Sequence, residues 1–171
     1  MREGWDAQAF EDLYRSMEKP LYNVVYRWVW HDAEAMDLVQ EAFCRLWSHR
    51  GRVRGETAKP YLFRIAQNLA ANHRRNRKIR GWVGLDAANP ESESPSPTAG
   101  LQREQRRAAA RAAIKALPNR YRRVLLLCRF SELSHEEIGN ILSIPPGTVA
   151  SRLHKAMNLL KKRMQKWKTI L

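Results

Sequence analysis

The sequence has 171 residues, of which 44% are hydrophobic, and it carries a net charge of +14 with a pI near 10.5. This hydrophobic content is enough for packed cores, so we expect a folded chain and not a disordered one. No apolar run has the roughly 18 residues that a membrane span needs. The first residues also lack the apolar stretch of a signal peptide. We therefore predict a cytoplasmic protein with no direct membrane insertion.

The charge is divided into blocks of opposite sign. Residues 1–49 hold 5 Lys/Arg against 9 Asp/Glu, whereas residues 50–80 hold 10 against 1. Residues 104–171 hold 15 against 4. The basic blocks suit the phosphates of nucleic acid. The acidic block suits a basic partner, and DNA is not basic. The charge pattern therefore indicates two kinds of partner, a nucleic acid and a basic partner.

A stretch of linker composition separates two units. Residues 84–100 contain three prolines, three serines and few large apolar residues, which is typical of a flexible linker. We place the first unit at residues 1–80, the linker at 81–101 and the second unit at 102–171. No segment in either unit shows the period-2 alternation of a strand. The predicted fold class is therefore all-α, with two small helical domains.

In the first unit, apolar residues follow the spacing of amphipathic helices. The first helix covers Phe10 to Trp28, and Pro20 is a point at which it bends or restarts. Asp32 is the predicted N-cap of a second helix. The apolar face of that helix consists of Met36, Val39, Phe43, Leu46 and Trp47.

A basic loop and a third helix complete the first unit. Two glycines mark the loop at residues 48–55. Pro60 is expected in the first turn of the third helix, which ends in a basic tail at residues 73–78. Tyr61 and Phe63 suit either the core or a platform for stacked bases, and such aromatic residues more often belong to the core.

The second unit opens with an Ala- and Arg-rich helix at about residues 102–116, which Leu117 and Pro118 end. Another helix follows, with apolar positions at Tyr121, Val124, Leu125, Leu127 and Cys128. Both cysteines of the chain, Cys44 and Cys128, lie in apolar surroundings. They are predicted to be buried free thiols and not a disulfide.

The most informative stretch of the second unit is residues 134–162. Ser134 and Glu137 have the spacing of a capping box, a short turn follows at 143–145, and Pro146 suits the start of a new helix. The predicted inward face of this new helix is Val149, Leu153, Met157 and Leu160. Two helices joined by a tight turn form a helix-turn-helix, whose second helix enters the major groove of DNA. The predicted DNA-reading side chains are Thr148, Ser151, Arg152, His154 and Lys155.

These segments resemble two conserved regions of the extracytoplasmic-function (ECF) RNA polymerase sigma factors of the sigma-70 family. Residues 133–138 (LSHEEI) and 144–156 (IPPGTVASRLHKA) are similar to the family's fourth region. Residues 37–47 (DLVQEAFCRLW) and 60–70 (PYLFRIAQNLA) are similar to its second region. Both blocks occur in the family's order and cover nearly the whole chain.

The resemblance implies a role for each charged block. In the family, the acidic helix of the second region docks on a basic coiled coil of core RNA polymerase, here through Asp37, Gln40 and Glu41. The next helix and the loop before it read the −10 promoter element as single-stranded DNA. The matching residues here are Arg50, Arg52, Arg54, Arg64, Asn68, Asn72, Arg74 and Arg75. The fourth region reads the −35 element in duplex form. The resemblance also implies an anti-sigma factor, often membrane-associated, as a further partner.

Three positions depart from the family pattern. Ser143 stands in the turn where the family usually has Gly, and it costs about 1 kcal/mol if that position has positive φ. Gly139 stands where the family prefers Ala, which indicates close helix approach. Ala150 stands where many members have Arg or Lys, so one contact to DNA is expected to be missing.

Two other classes of function remain open from the residues. One is a helix-turn-helix repressor or activator that acts on duplex DNA without polymerase, which has no need of the acidic helix. The other is an enzyme with an appended DNA-binding domain. No phosphate-binding loop, H-E-x-x-H or C-x-x-C motif occurs, and the five histidines show no ligand spacing. We therefore expect no enzyme activity, no cofactor and no metal.

Overall fold

The computed structural model describes residues 6–82 and 100–170, and for residues 78–82, 100–103 and 166–170 it describes only the helical backbone. Most of the predicted linker, residues 83–99, lies outside the described residues. The described part is all helical, as predicted. It comprises α1 (Ala7–Val29), α2 (Asp32–Ser48), a 3-10 turn (Arg50–Arg52), α3 (Gly55–Trp82), α4 (Gly100–Lys115), α5 (Asn119–Phe130), α6 (His135–Leu142) and α7 (Pro146–Ile170).

Helix α1 runs as one element through Pro20 and does not restart there. Asp6 caps its first turn, because the Asp6 side chain accepts a hydrogen bond of 2.7 Å from the Ala9 N–H. At the other end Trp30 adopts a left-handed conformation, with φ 59°, and its N–H donates to the Tyr26 carbonyl. The buried face of α1 consists of Met17, Leu21, Val24, Val25 and Trp28.

The prediction that Asp32 caps α2 is wrong. His31 is the cap, because its backbone is extended and its ring Nδ1 accepts from the Glu34 N–H at 3.4 Å. Asp32 is already helical, and its carboxylate instead accepts a hydrogen bond from the Tyr22 hydroxyl. Burial and this hydrogen bond raise the pKa of Tyr22 to about 12. The pair thus ties the start of α2 to α1.

Helix α3 begins earlier than predicted. It starts at Gly55, so Pro60 lies beyond the first turn. The prediction that Pro60 lies in the first turn of the third helix is therefore wrong. The basic tail continues the helix to Trp82 and does not end it. Phe63 is fully buried, as expected, whereas Tyr61 is only half-buried.

The helix-turn-helix has the predicted local structure. Ser134 Oγ accepts from the Glu137 N–H at 3.1 Å, and a Glu137 carboxylate oxygen accepts from the Ser134 N–H at 2.7 Å. Both halves of the capping box are therefore present. Helix α6 ends at Leu142 and α7 begins at Pro146, so the turn covers the predicted residues.

Two methionines assigned to apolar faces are exposed. Met36 is 51% exposed and Met157 is 39% exposed. In each helix a neighbouring alanine, Ala35 or Ala156, occupies the buried position. The other predicted positions hold, since Val39, Phe43 and Leu46 are buried in α2 and Val149 is buried in α7, so each stripe differs only at its methionine.

The prediction of two buried thiols is also wrong. Cys44 is exposed, because it lies on the outward side of α2, opposite the face that packs through Val39 and Leu46. Cys128 is half-buried, and burial raises the pKa of its thiol. Neither forms a disulfide in the described structure.

The two units pack against each other. Helix α5 contacts α1, and α6 contacts α3. One apolar core runs across this junction, since Val124, Leu126 and Leu127 belong to the same cluster as Leu21 and Leu62. A smaller cluster lies within the second unit, around Leu117, Leu125 and Ala156.

We expect Gly139→Ala to lower the free energy of unfolding by about 1–3 kcal/mol. A Cβ atom at Gly139 would lie 2.6 Å from the Ile144 carbonyl oxygen, so the turn between α6 and α7 would have to move. Gly147→Ala is the matched control, because nothing lies within 4 Å of a Cβ atom there. Urea denaturation of both variants tests this. Equal stability of the two would contradict the close approach.

We expect Ser143→Gly to raise the free energy of unfolding by about 1 kcal/mol. Ser143 ends α6 in the left-handed region, with φ 54° and ψ 48°, where only glycine escapes the steric penalty. Ser151→Gly makes the same substitution inside α7 and should destabilise the protein by a similar amount. Thermal melts should therefore shift in opposite directions, and a shared direction would refute the argument.

Candidate nucleic-acid interface

Helix α2 carries the predicted acidic face. Asp37, Gln40 and Glu41 are all exposed, and their spacing places them on one side of the helix. The Arg45 Nε donates to Glu41 at 2.6 Å, which orients that carboxylate. The exposed Met36 lies on the same side of the helix. The apolar periodicity placed Met36 in the core, so the sequence analysis did not find this exposed apolar residue beside the acidic side chains.

A basic turn lies beyond the end of α2. Arg50, Arg52 and Arg54 are all exposed there. The Arg50 guanidinium lies 4.2 Å from the centre of the Trp47 ring and donates to the Trp47 carbonyl at 3.0 Å. His49 forms a hydrogen bond of 2.9 Å with the Tyr61 hydroxyl, which fastens the turn to α3. The loop predicted to hold single-stranded DNA is therefore held in place by side-chain contacts with α2 and α3.

Helix α3 continues this basic surface. Arg64, Asn68, Asn72 and Arg75 are exposed and follow one another at spacings of four, four and three residues. They form a single stripe along the helix. Arg74 does not belong to it, since it is half-buried and lies 5.7 Å from the centre of the Trp28 ring. The structure thus groups seven of the eight predicted −10 residues and places Arg74 at the junction of the units.

The start of α7 presents the predicted duplex-reading side chains. Ser151, His154 and Lys155 are exposed, whereas Thr148 and Arg152 are half-buried. The buried Val149 and Ala156 lie on the opposite face of α7, which packs against the other helices of the second unit. The five polar residues therefore share the outward side, as a groove-reading helix requires.

Asn158 is a residue of this surface that the sequence analysis missed. Its side-chain amide lies 2.9 Å from His154 Nε2 and thereby positions that ring. The four-residue spacing to His154 was the available signal. Farther along α7, Lys155, Asn158, Lys161 and Lys162 line a shallow basic depression suited to phosphate.

A cleft lies between the two units, close to the basic turn. Its volume is about 570 Å³. Arg52, Tyr61 and Arg64 line one side, and Glu136, Glu137 and Asn140 of α6 line the other side. Lys59 Nζ lies 3.6 Å from a Glu137 carboxylate oxygen, so one ion pair crosses from α3 to α6.

Burial favours the neutral form of Glu137, but hydrogen bonds with Ser134 and the charge of Lys59 outweigh it and lower the pKa of this carboxyl. Glu137 is therefore ionised at neutral pH. The α6 side of the cleft therefore carries the carboxylates of Glu136 and Glu137, whereas the opposite side carries Arg52 and Arg64 together with one acidic residue, Glu56.

Among residues 6–82 and 100–170, no group of three or more His, Cys, Asp and Glu side chains is placed to hold a metal ion. Within the same ranges, no helix has the length and apolar character needed to cross a membrane.

Two protein families match this chain. Residues 13–80 match the family described as Sigma-70 region 2, and residues 107–160 match Sigma-70, region 4. The first match contains the acidic face of α2 and the basic stripe of α3. The second contains the helix-turn-helix.

The chain is also similar to curated proteins along most of its length. It is 33% identical to the RNA polymerase sigma-H factor of Pseudomonas aeruginosa, with 94% of this chain and 88% of that protein covered. It is 31% identical to the ECF RNA polymerase sigma factor SigL of Mycobacterium tuberculosis, with 94% and 91% covered.

Solved structures share the fold. The sigma factor RpoE of Bartonella quintana, in complex with the anti-sigma factor NepR, matches with a TM-score of 0.69 at 22% identity over 93% of this chain and 98% of that one. CnrH, in complex with the cytosolic domain of CnrY, matches with a TM-score of 0.70 at 18% identity over 94% and 90%. Because regions 2 and 4 occur in order and the named relatives align over most of their lengths, the chain belongs to the ECF RNA polymerase sigma factors.

Proposed function

We propose that this sigma factor binds core RNA polymerase and directs it to a specific set of promoters, as an initiation factor in the cytoplasm and not as a catalyst. One observation carries the proposal: a single chain presents an exposed acidic face on α2 beside two separate basic surfaces, on α3 and α7. DNA repels the acidic face. A repressor or activator that acts on duplex DNA alone has no use for it.

The acidic face is the proposed contact with polymerase. Asp37 and Glu41 supply negative charge for a basic coiled coil, and Gln40 supplies hydrogen bonds. Met36 adds exposed apolar area to the same patch. Charge complementarity of this kind steers association, while the apolar contact adds affinity once water is excluded.

The basic turn and the α3 stripe are the proposed −10 surface. Arg50, Arg52 and Arg54 bind phosphates of the melted strand, and Arg64, Asn68, Asn72 and Arg75 continue this track. Asn68 provides hydrogen bonds for an unstacked base. A track of this kind suits a single strand, since its bases have left the duplex and expose their edges. Arg74, at the junction, would join it only after the two units separate.

The outward side of α7 is the proposed −35 surface. Arg152 and Lys155 have the length to reach base edges and phosphates in the major groove, and Thr148, Ser151 and His154 complete the readout. The domains that carry these tasks are residues 1–80 and 102–171, with residues 81–101 as the tether. An anti-sigma factor is a further proposed partner, because the sigma factor RpoE of Bartonella quintana, which shares this fold, is solved in complex with the anti-sigma factor NepR.

Replacing both Asp37 and Glu41 by Lys should abolish polymerase-dependent initiation. The substitution reverses the sign of the proposed contact while leaving the buried face of α2 intact. Abortive transcription with core polymerase on a library of promoter fragments measures the loss. Glu11→Lys with Asp12→Lys is the control, since it makes the same change of charge on the exposed start of α1.

The control variant should initiate like the unmodified protein. Full activity of the Asp37 and Glu41 variant would remove this face from the polymerase contact. Sequence-selective DNA binding by the unmodified protein, without initiation on any fragment, would instead favour the repressor or activator.

Arg152→Ala should weaken binding to the best-bound −35 duplex by about 1–3 kcal/mol and relax base preference at one position. Lys162→Ala should weaken binding to all duplexes alike and reduce the salt dependence, because a phosphate contact carries no sequence information. Competition binding with a randomised duplex pool separates the two effects. A uniform loss for Arg152→Ala would reassign that residue to the backbone.

A further inference from the structure

Two polar side chains on the outward side of α7 form a hydrogen-bonded pair. His154 and Asn158 are both exposed and lie four residues apart, which makes them neighbours on one face of the helix. The Asn158 Nδ2 atom lies 2.9 Å from His154 Nε2. Val149 and Ala156 are buried on the opposite face, so the packing of α7 keeps the pair on the side proposed to meet the −35 duplex.

This contact decides which ring nitrogen of His154 carries the proton. A neutral imidazole has one N–H donor and one nitrogen that accepts. The amide nitrogen of Asn158 can only donate, so His154 Nε2 is the acceptor. The proton of the neutral ring is therefore on Nδ1, which leaves His154 with an N–H donor for another partner. Within the described residues, no other hydrogen bond of the His154 ring competes for that donor.

The lysines around Asn158 favour this orientation of its amide. Lys155, Lys161 and Lys162 line the same shallow depression as Asn158. Their ammonium groups attract the amide oxygen and repel the amide nitrogen, which carries partial positive charge. The oxygen is therefore directed to the lysines and the nitrogen to His154. Rotation of the amide by half a turn would reverse both interactions.

The residue four positions before His154 leaves space beside the ring. Side chains on a helix lean toward its N-terminus, so the His154 ring lies over the turn that contains Ala150. Ala150 is exposed, and its methyl group neither donates nor accepts a hydrogen bond. The DNA contact that the family pattern places at position 150 is missing in this chain. His154, on the next turn of the same face, has a donor with which to supply another contact.

A single N–H donor distinguishes the base edges of the major groove. Guanine presents O6 and N7, adenine presents N7 and thymine presents O4, and each of these atoms accepts a hydrogen bond. Cytosine presents only its N4 amino group, which donates. Opposite cytosine two donors would meet, and the His154 N–H would lose its hydrogen bond to water without a replacement.

We propose that Asn158 is a positioning residue that fixes the Nδ1–H form of His154, and that His154 consequently selects against cytosine at one position of the −35 element. This readout rests on the proposed function, because it assumes that α7 enters the major groove. The form of the ring does not depend on that assumption, since the pair is present in the protein without DNA.

The form of the ring is measured by two-bond proton–nitrogen correlation spectroscopy on the free, full-length protein at about pH 8.5, where an imidazole is neutral. The signal that disappears in His154→Gln identifies the ring. We expect the Nδ1–H pattern in the unmodified protein and the Nε2–H pattern in Asn158→Asp, because a carboxylate only accepts. An Nε2–H or mixed pattern in the unmodified protein, or an Nδ1–H pattern in Asn158→Asp, would overturn the proposal.

The readout is measured with holoenzyme assembled from core polymerase and this protein, on promoters randomised across the −35 element. The position that loses its base preference in His154→Ala is the one that His154 contacts. We expect cytosine there to be selected about tenfold less than the best base. Asn158→Asp should remove this discrimination, because Nδ1 then accepts from the cytosine amino group. Undiminished discrimination in Asn158→Asp, or a preference for cytosine in the unmodified protein, would refute the readout.

Gln165→Glu is the matched control, because it adds the same charge at an exposed position two turns farther along α7. It should weaken binding to all promoters alike and leave the base preference unchanged. If it changes the preference as Asn158→Asp does, added charge explains the effect and the positioning role is wrong.

The two measurements separate this inference from the proposed function. If other −35 positions are selected but His154→Ala changes none of them, the readout by His154 fails. If the holoenzyme selects no base in the −35 element, the proposed function of α7 fails, while the spectroscopic result still decides whether Asn158 fixes the ring.

Discussion

The arrangement of this protein depends on how the end of α1 is completed. A helix leaves its last carbonyls without intrahelical partners, and here a guanidinium from the other unit binds two of them. Arg122 ties α5 to the end of α1, and the apolar residues that follow it on α5 join the core of the first unit. Helix α6 lies against α3 in the same arrangement. The end of α1 is therefore part of the contact between the two units.

This relation divides the functional surfaces into two sets. The acidic face of α2 and the polar side of α7 point outward. The basic turn and the start of the α3 stripe face an acidic side of α6 across the cleft.

The helix-turn-helix shows how a fold tolerates local cost. Ser143 adopts a left-handed conformation that glycine would adopt more readily. The turn is nevertheless held, because Gly139 leaves room for the Ile144 carbonyl and the capping box fixes the start of α6. Gly139 stands where the turn comes close to α6, and Ser143 stands where the backbone is strained. The free-energy cost at Ser143 is offset by the contacts at the other positions.

The sequence by itself determined the helices, the capping box, the turn before α7, the division of charge and the family resemblance, because all of these depend on residues close together in the chain. Its errors at Met36, Met157 and Asp32 arose where two adjacent residues suited one role, and only packing selects between them. The tertiary structure alone decided how the units meet. Arg120, Arg122 and Arg123 look alike in the sequence, yet Arg122 alone is fully buried. Its partners, Arg27 and Trp28, lie more than 90 residues away and act through backbone carbonyls, which every residue possesses and no sequence pattern distinguishes.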